Sequence, residues 1–151
     1  MTPWLTPDEQ QAWRAFLAAS ALVATALDTQ LQRDADMPHG YYEVLVRLSV
    51  ATDRTLRMSE LAELTQSSRS RLSHAVGKLE QRGWVTRRPC ETDKRGQLAS
   101  LTATGFAVLE QAAPGHVTAV RQALFAALSE DQVHQLRCIG EAIAVHHRQP
   151  C

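Results

Sequence analysis

Residues 68–101 constrain the fold more than any other stretch, because a helical pattern there ends on a glycine and gives way to two β-forming segments. From Ser68 to Arg82, Leu72, Ala75, Val76 and Leu79 recur at the spacings of an amphipathic helix, and Gly83 reads as its C-terminal cap. Trp84-Val85-Thr86-Arg87-Arg88 and Gln97-Leu98-Ala99-Ser100-Leu101 then flank a polar stretch from Pro89 to Gly96. That arrangement predicts a β-hairpin with a charged, protruding tip. Upstream, Ser59 to Leu64 reads as a short helix with Ser59 as N-cap, separated from the longer one by the polar Thr65-Gln66-Ser67. Two helices joined by a tight polar turn form a helix-turn-helix layout.

The flanking sequence is helical. Thr6-Pro7-Asp8-Glu9 has the form of a capping box with proline at the first helical position. Trp13, Phe16, Leu17, Val23, Leu27 and Leu31 then mark one apolar face over roughly seven turns, until Arg33 to Asp36 and Pro38-His39-Gly40 stop it. Tyr41 to Leu48 reads as a more buried helix, and Thr55-Leu56-Arg57 as a brief strand. Thr102 is placed to cap a helix through Phe106, Val108 and Leu109, with Pro114-Gly115 a site for a kink before Val117, Val120, Leu124 and Leu128. Ser129-Glu130-Asp131-Gln132 opens a last helix carrying Val133, Leu136, Ile139 and Ile143. The expected fold is mainly α with a small β-hairpin wing, and 151 residues suffice to bury a core as one domain.

Net charge is zero, yet its distribution is uneven: residues 67–97 carry eight Lys/Arg against three Asp/Glu, a net +5. A basic segment on an otherwise mildly acidic chain is the pattern expected where one part meets phosphate. Cys90, Cys138 and Cys151 lack the paired spacing of a zinc site or a disulfide framework, which fits a reducing cytoplasm. Neither a signal-peptide pattern nor an apolar run near the ~20 residues that span a bilayer is present, so no membrane partner is expected.

Projected at 100° per residue, the helix from Ser68 sets Ser70, His74, Gly77 and Gln81 opposite its apolar stripe, flanked by Arg71, Ser73 and Lys78. A small, polar and basic face suits a helix lying in the major groove of double-stranded DNA. An exposed mid-helix glycine such as Gly77, which costs about 1 kcal/mol relative to alanine, suggests close approach by something. On the hairpin tip, Lys94-Arg95-Gly96 offers an arginine to a minor groove.

The chain resembles the MarR family of bacterial regulators. Leu61-Ala62, Ser70-Arg71-Leu72, Lys78-Leu79-Glu80-Gln81-Arg82-Gly83-Trp84-Val85, Arg87-Arg88, Asp93-Lys94-Arg95-Gly96 and Leu101-Thr102-Ala103-Thr104-Gly105 carry the resemblance, and Tyr42-Glu43-Val44-Leu45 with the terminal helices extends it. It implies a winged helix-turn-helix at residues 37–102, with residues 1–36 and 103–151 forming a helical dimerisation region. Carried over residue by residue, Ser68, Arg69, Ser70, Arg71, Ser73, His74 and Lys78 face DNA from the recognition helix and Arg95 from the wing; the residues themselves add Gly77 on the open helix face and Arg88 and Lys94 on the basic hairpin as expected DNA contacts. Asp93 orients the wing by pairing with an arginine, and Ser59 presents a helix N-terminus to phosphate. The expected function is that of a homodimeric repressor on a pseudo-palindromic operator, released by a small-molecule effector near Trp13, Phe16, His39 and Tyr41.

Two other readings stay open: a winged-helix protein-interaction module, and a thiol-based redox response at Cys90, whose pKa Arg87 and Arg88 would lower. An enzyme is not expected, since glycine-rich phosphate loop, nucleophile elbow and metal-ligand pair at helical spacing are all missing from this reading. Neither a cofactor nor a metal is expected; His146-His147 with Cys151 is a poor ligand set, because adjacent histidines point to different sides of a helix.

Overall fold

The computed structural model describes residues 3–148. Six α-helices and three strands follow in the order α1 (Pro7–Ala35), α2 (His39–Ser49), β1 (Thr55–Arg57), α3 (Met58–Leu64), α4 (Arg69–Gln81), β2 (Val85–Pro89), β3 (Gln97–Leu101), α5 (Ala103–Ala123) and α6 (Glu130–Arg148), with 3-10 turns at Thr52–Arg54 and Phe125–Ala127. The chain divides into two compact units, residues 3–26 with 117–148 and residues 27–116.

In the first unit both expected capping boxes form. Thr6 N–H donates to Glu9 Oε2 at 2.7 Å while Glu9 N–H donates to Thr6 Oγ1 at 3.2 Å, and Ser129 and Gln132 repeat the exchange at 2.9 and 3.3 Å. The helices that start there leave their apolar residues uncovered: Trp13, Phe16, Leu17, Leu136, Ile139 and Ile143 are exposed, and α6 has no buried residue among those described.

The second unit holds the core. Leu31, Met37, Val44, Leu45, Leu48, Leu61, Leu72, Val76, Leu79, Val85, Ala99, Leu101 and Leu109 form one cluster drawn from α1 to α5 and the sheet. The stripe read from the sequence of α4 supplies Leu72, Val76 and Leu79 to it. The β-hairpin gains a third strand, because β1 pairs antiparallel with β3 through Thr55↔Ser100, Leu56↔Ala99 and Arg57↔Leu98, giving the order β1-β3-β2. Helix α3 begins one residue before Ser59: the chain turns straight out of β1, and Glu60 Oε2 accepts the Arg57 N–H at 3.1 Å. Ser59 therefore sits inside the first turn and does not cap. Pro114 lies within an uninterrupted α5, so the expected kink does not break the helix.

His116 is buried on α5, its Nδ1 3.2 Å from Gln30 Oε1 and its ring beside those of Tyr42 at 4.3 Å and His39 at 5.5 Å. Burial, then the charge of His39, holds its pKa below the ordinary 6.5, against the opposing pull of Glu43. A histidine with a depressed folded pKa binds fewer protons than the unfolded chain, so its stability contribution is present above pH 6.5 and is lost as pH falls below it. His116→Gln should therefore show a smaller fall of urea midpoint between pH 7 and pH 5 than wild type; each proton carries at most about 1.4 kcal/mol per pH unit. Equal slopes in the two proteins would assign the acid sensitivity elsewhere.

Gly105 tests the packing of α5. A Cβ there would run into the Trp84 carbonyl and lie 2.8 Å from Leu101 Cδ1, both parts of a rigid core. Gly105→Ala should cost about 3 kcal/mol in denaturant unfolding; a loss below 1 kcal/mol would show that α5 slides freely on the sheet.

Candidate nucleic-acid interface

Helix α4 is closed at both ends by local bonds. Ser68 Oγ accepts the Arg71 N–H at 3.2 Å, and at the other end Gly83 N–H reaches Glu80 O at 2.9 Å while Trp84 N–H reaches Leu79 O at 3.0 Å. That second pair is a Schellman motif, and it requires the left-handed φ of +74° that Gly83 adopts. With its apolar stripe in the core, α4 turns Ser68, Arg69, Ser70, Arg71, Ser73, His74 and Lys78 outward, all exposed.

The wing folds back toward this face. Asp93 Oδ1 accepts the Arg95 N–H at 3.0 Å, and its Oδ2 stands 3.7 Å from Arg57 Nη1, while Arg57 Nη2 donates to Thr92 Oγ1 at 3.2 Å. Asp93 thus does pair with an arginine, that of strand β1. With both partners about half exposed the pair adds at most ~1 kcal/mol, so its effect is on the direction of the tip. Together the wing, α3 and α4 enclose a hollow of about 440 Å³ lined by Arg57, Ser59, Arg69, Ser73, Asp93 and Arg95 among others. Three guanidinium groups against one carboxylate give it a net positive lining, the electrostatics that suit an anion. Arg88 and Lys94 are exposed elsewhere on the wing.

Sequence reasoning missed Arg57 and Arg87. Arg57 carried no signal, since a short strand gives no account of which loop it meets. Arg87 carried one: alternation along β2 places it and Arg88 on opposite faces. Its Nε and Nη2 both lie 2.7 Å from Glu80 Oε2, its N–H donates to Glu80 Oε1 at 3.0 Å, and its Nη1 reaches Ser73 Oγ at 3.4 Å. The space beside Gly77 belongs to this guanidinium, because a Cβ at 77 would meet only Arg87 Nη2, at 3.7 Å.

Of the residues expected near an effector, Trp13 and Phe16 stack at 6.2 Å between ring centroids on α1, in the first unit. His39 and Tyr41 belong to the second, where they line a hollow of about 400 Å³ with Glu43, Thr65, Ser67 and Arg71. Cys90 is buried with Sγ 3.3 Å from Thr92 Oγ1. Its thiol pKa is lowered chiefly by hydrogen bonds from the Thr92 side chain and backbone, then by the charge of Arg57. Arg87 and Arg88 are not the cause; Arg87 is turned to Glu80. One pair at helical spacing does exist, Cys138 Sγ lying 3.6 Å from His134 Nε2, yet among the described residues no group of three or more His, Cys, Asp and Glu could hold a metal ion. Cys151 lies outside the described residues, and no described helix is long and apolar enough to cross a membrane.

Comparison with known proteins agrees with this geometry. The MarR family model matches residues 35–96. The chain is similar to Sco3205, a MarR family transcriptional regulator from Streptomyces coelicolor solved in complex with DNA, at 50% identity and a TM-score of 0.93 over 99% of this chain and 93% of that one. It is also similar to AbsC, a MarR family transcriptional regulator of the same organism, at 38% identity and a TM-score of 0.89 over 97% and 99% of the two chains. Transcriptional repressor MprA of Escherichia coli (strain K12) is 31% identical over 98 residues, 65% of this chain and 55% of its own length. The chain thus matches about half the length of such curated relatives. With half its residues shared with a MarR regulator along nearly the whole of both chains, this chain belongs to the MarR family of transcriptional regulators, not to a family of enzymes.

Proposed function

We propose that the chain works in the cytoplasm as a homodimer that reads a pseudo-palindromic site in double-stranded DNA, represses transcription there and is released by a small-molecule effector. One observation carries the DNA reading: the exposed serines and basic residues of α4 continue into an arginine-lined hollow beneath the wing. A major groove about 12 Å wide admits a helix with such a face, and phosphate suits the hollow. Sco3205, half identical to this chain, was solved on DNA, and MprA is named a repressor.

Dimerisation is supported by the bare helices of the first unit. Helix α6 runs for 19 residues without one buried side chain among those described, and exposed apolar faces of this kind are buried by association. The dimer then offers two winged heads to two half-sites. For the effector, the hollow holding His39 and Tyr41 also holds Arg71 of α4, so an occupant would touch the reading helix directly.

Selection from a random duplex pool, followed by salt titration of the enriched sequence, tests the reading. A two-fold-symmetric motif whose affinity falls steeply with salt is the expected result; salt-insensitive binding to a protein partner with no enriched duplex would replace it with the interaction-module reading. On the selected site Arg95→Ala should bind about tenfold more weakly and flatten the slope of log affinity against log salt by about 1. Wild-type affinity and slope in that variant would take the wing out of the contact.

A further inference from the structure

Building on the DNA-reading function proposed above, we infer that Arg87 is itself a DNA contact, delivered from strand β2 onto the reading face of α4 through the gap at Gly77 and fixed there by Glu80. Ser73, Gly77 and Glu80 are spaced by four and three residues, so they form one stripe along the helix. The Arg87 guanidinium lies along it: Nε and Nη2 grip Glu80 Oε2 at 2.7 Å, Nη2 passes over Gly77, and Nη1 touches Ser73 Oγ at 3.4 Å. Glu80 holds the backbone as well, through the Arg87 N–H at 3.0 Å. Strand and side chain are therefore both fixed by one carboxylate.

A purely structural role does not account for this arrangement. Arg87 keeps 25% of its side chain exposed and Glu80 30%, so the pair is partly buried, yet its guanidinium still reaches solvent beside the exposed Ser73. What the arrangement does achieve is a guanidinium whose rotamer is settled before DNA arrives. A guanidinium has five N–H donors; Glu80 and Ser73 take three, leaving donors on a planar group suited to a phosphate. It also neutralises Glu80, a carboxylate that would otherwise repel the duplex. The assigned partner is a backbone phosphate flanking the bases that Ser70, Ser73 and His74 face.

The test uses the full-length protein on its selected duplex. Arg87→Ala should lower affinity about tenfold for every sequence in the pool and make the salt slope shallower by about 1, with folding and dimerisation retained. Arg87→Lys should keep the slope but bind more weakly, since it preserves the charge and loses the fork. Glu80→Gln should narrow the ratio of specific to non-specific affinity without lowering the melting temperature to match, because the guanidinium is then held less firmly. Gly77→Leu, whose longer side chain would fill the gap that the guanidinium crosses, should weaken binding and flatten the slope as Arg87→Ala does. An Arg87→Ala protein that folds, dimerises and binds with the wild-type salt slope overturns the assignment while leaving DNA reading intact. A wild-type protein that enriches no duplex removes the DNA reading, and this contact with it.

Discussion

The joint at the end of helix α4 is built on Thr102. Its hydroxyl donates to the Gly83 carbonyl at 2.7 Å and accepts the Gly105 N–H at 3.0 Å, while its own N–H donates to the Trp84 carbonyl at 3.0 Å. One residue thereby ties together the end of α4, the start of β2, the end of β3 and the first turn of α5. The geometry tolerates little variation on either side of it. Gly83 must take a left-handed backbone for the Schellman closure of α4, and residue 105 must lack a Cβ because the Trp84 carbonyl occupies that space. Leu79, Val85 and Leu101, all buried, surround the joint, so the direction in which α4 points is set by core packing and not by the exposed residues it presents.

The outer face of α4 and the wing is held by weaker, wetter contacts, and magnitudes decide what those contacts do. Ion pairs such as Arg57 with Asp93 contribute at most ~1 kcal/mol each when half exposed. The core cluster, at about 25 cal/mol per Å² of buried apolar surface, is far larger. Polar side chains on the wing and on α4 can therefore vary in charge and reach with little effect on the fold. Their work is orientation: Asp93 turns the Arg95 backbone at the tip, Thr92 and Asp93 hold Arg57, and Glu80 holds Arg87.

Features set by local chemistry were legible in the sequence, and features set by tertiary pairing were not. The capping boxes at Thr6 and Ser129, the glycine closure at Gly83 and the apolar stripe of α4 each depend on residues within one or two turns, and each formed as read. Ser59 misled because Glu60, one position later, secures a helix start at Met58. Gly77 suggests close approach by something, and the side chain beside it in the fold, Arg87, is ten residues on, where a helical projection cannot see it. The same limit hid Arg57, brought to the wing tip only because β1 pairs with β3. For Cys90, the acidifying partners were two residues along and on another strand, while the adjacent arginines in sequence turned elsewhere.

The two units differ in how much of their stability they contain. In residues 27–116 most large apolar side chains are buried against one another, and the helix ends, turns and strands find partners within the same stretch. The helices of the other unit meet every local requirement, with reciprocal caps and acidic residues in their first turns, yet leave tryptophan, phenylalanine, leucine and isoleucine in water. Capping and propensity make an isolated helix only marginal, since most helical stability in proteins comes from covering an apolar face. For α6 that cover must come from outside the contacts seen in a single chain. These helices therefore depend on whatever covers their apolar faces, whereas the winged unit carries its own core.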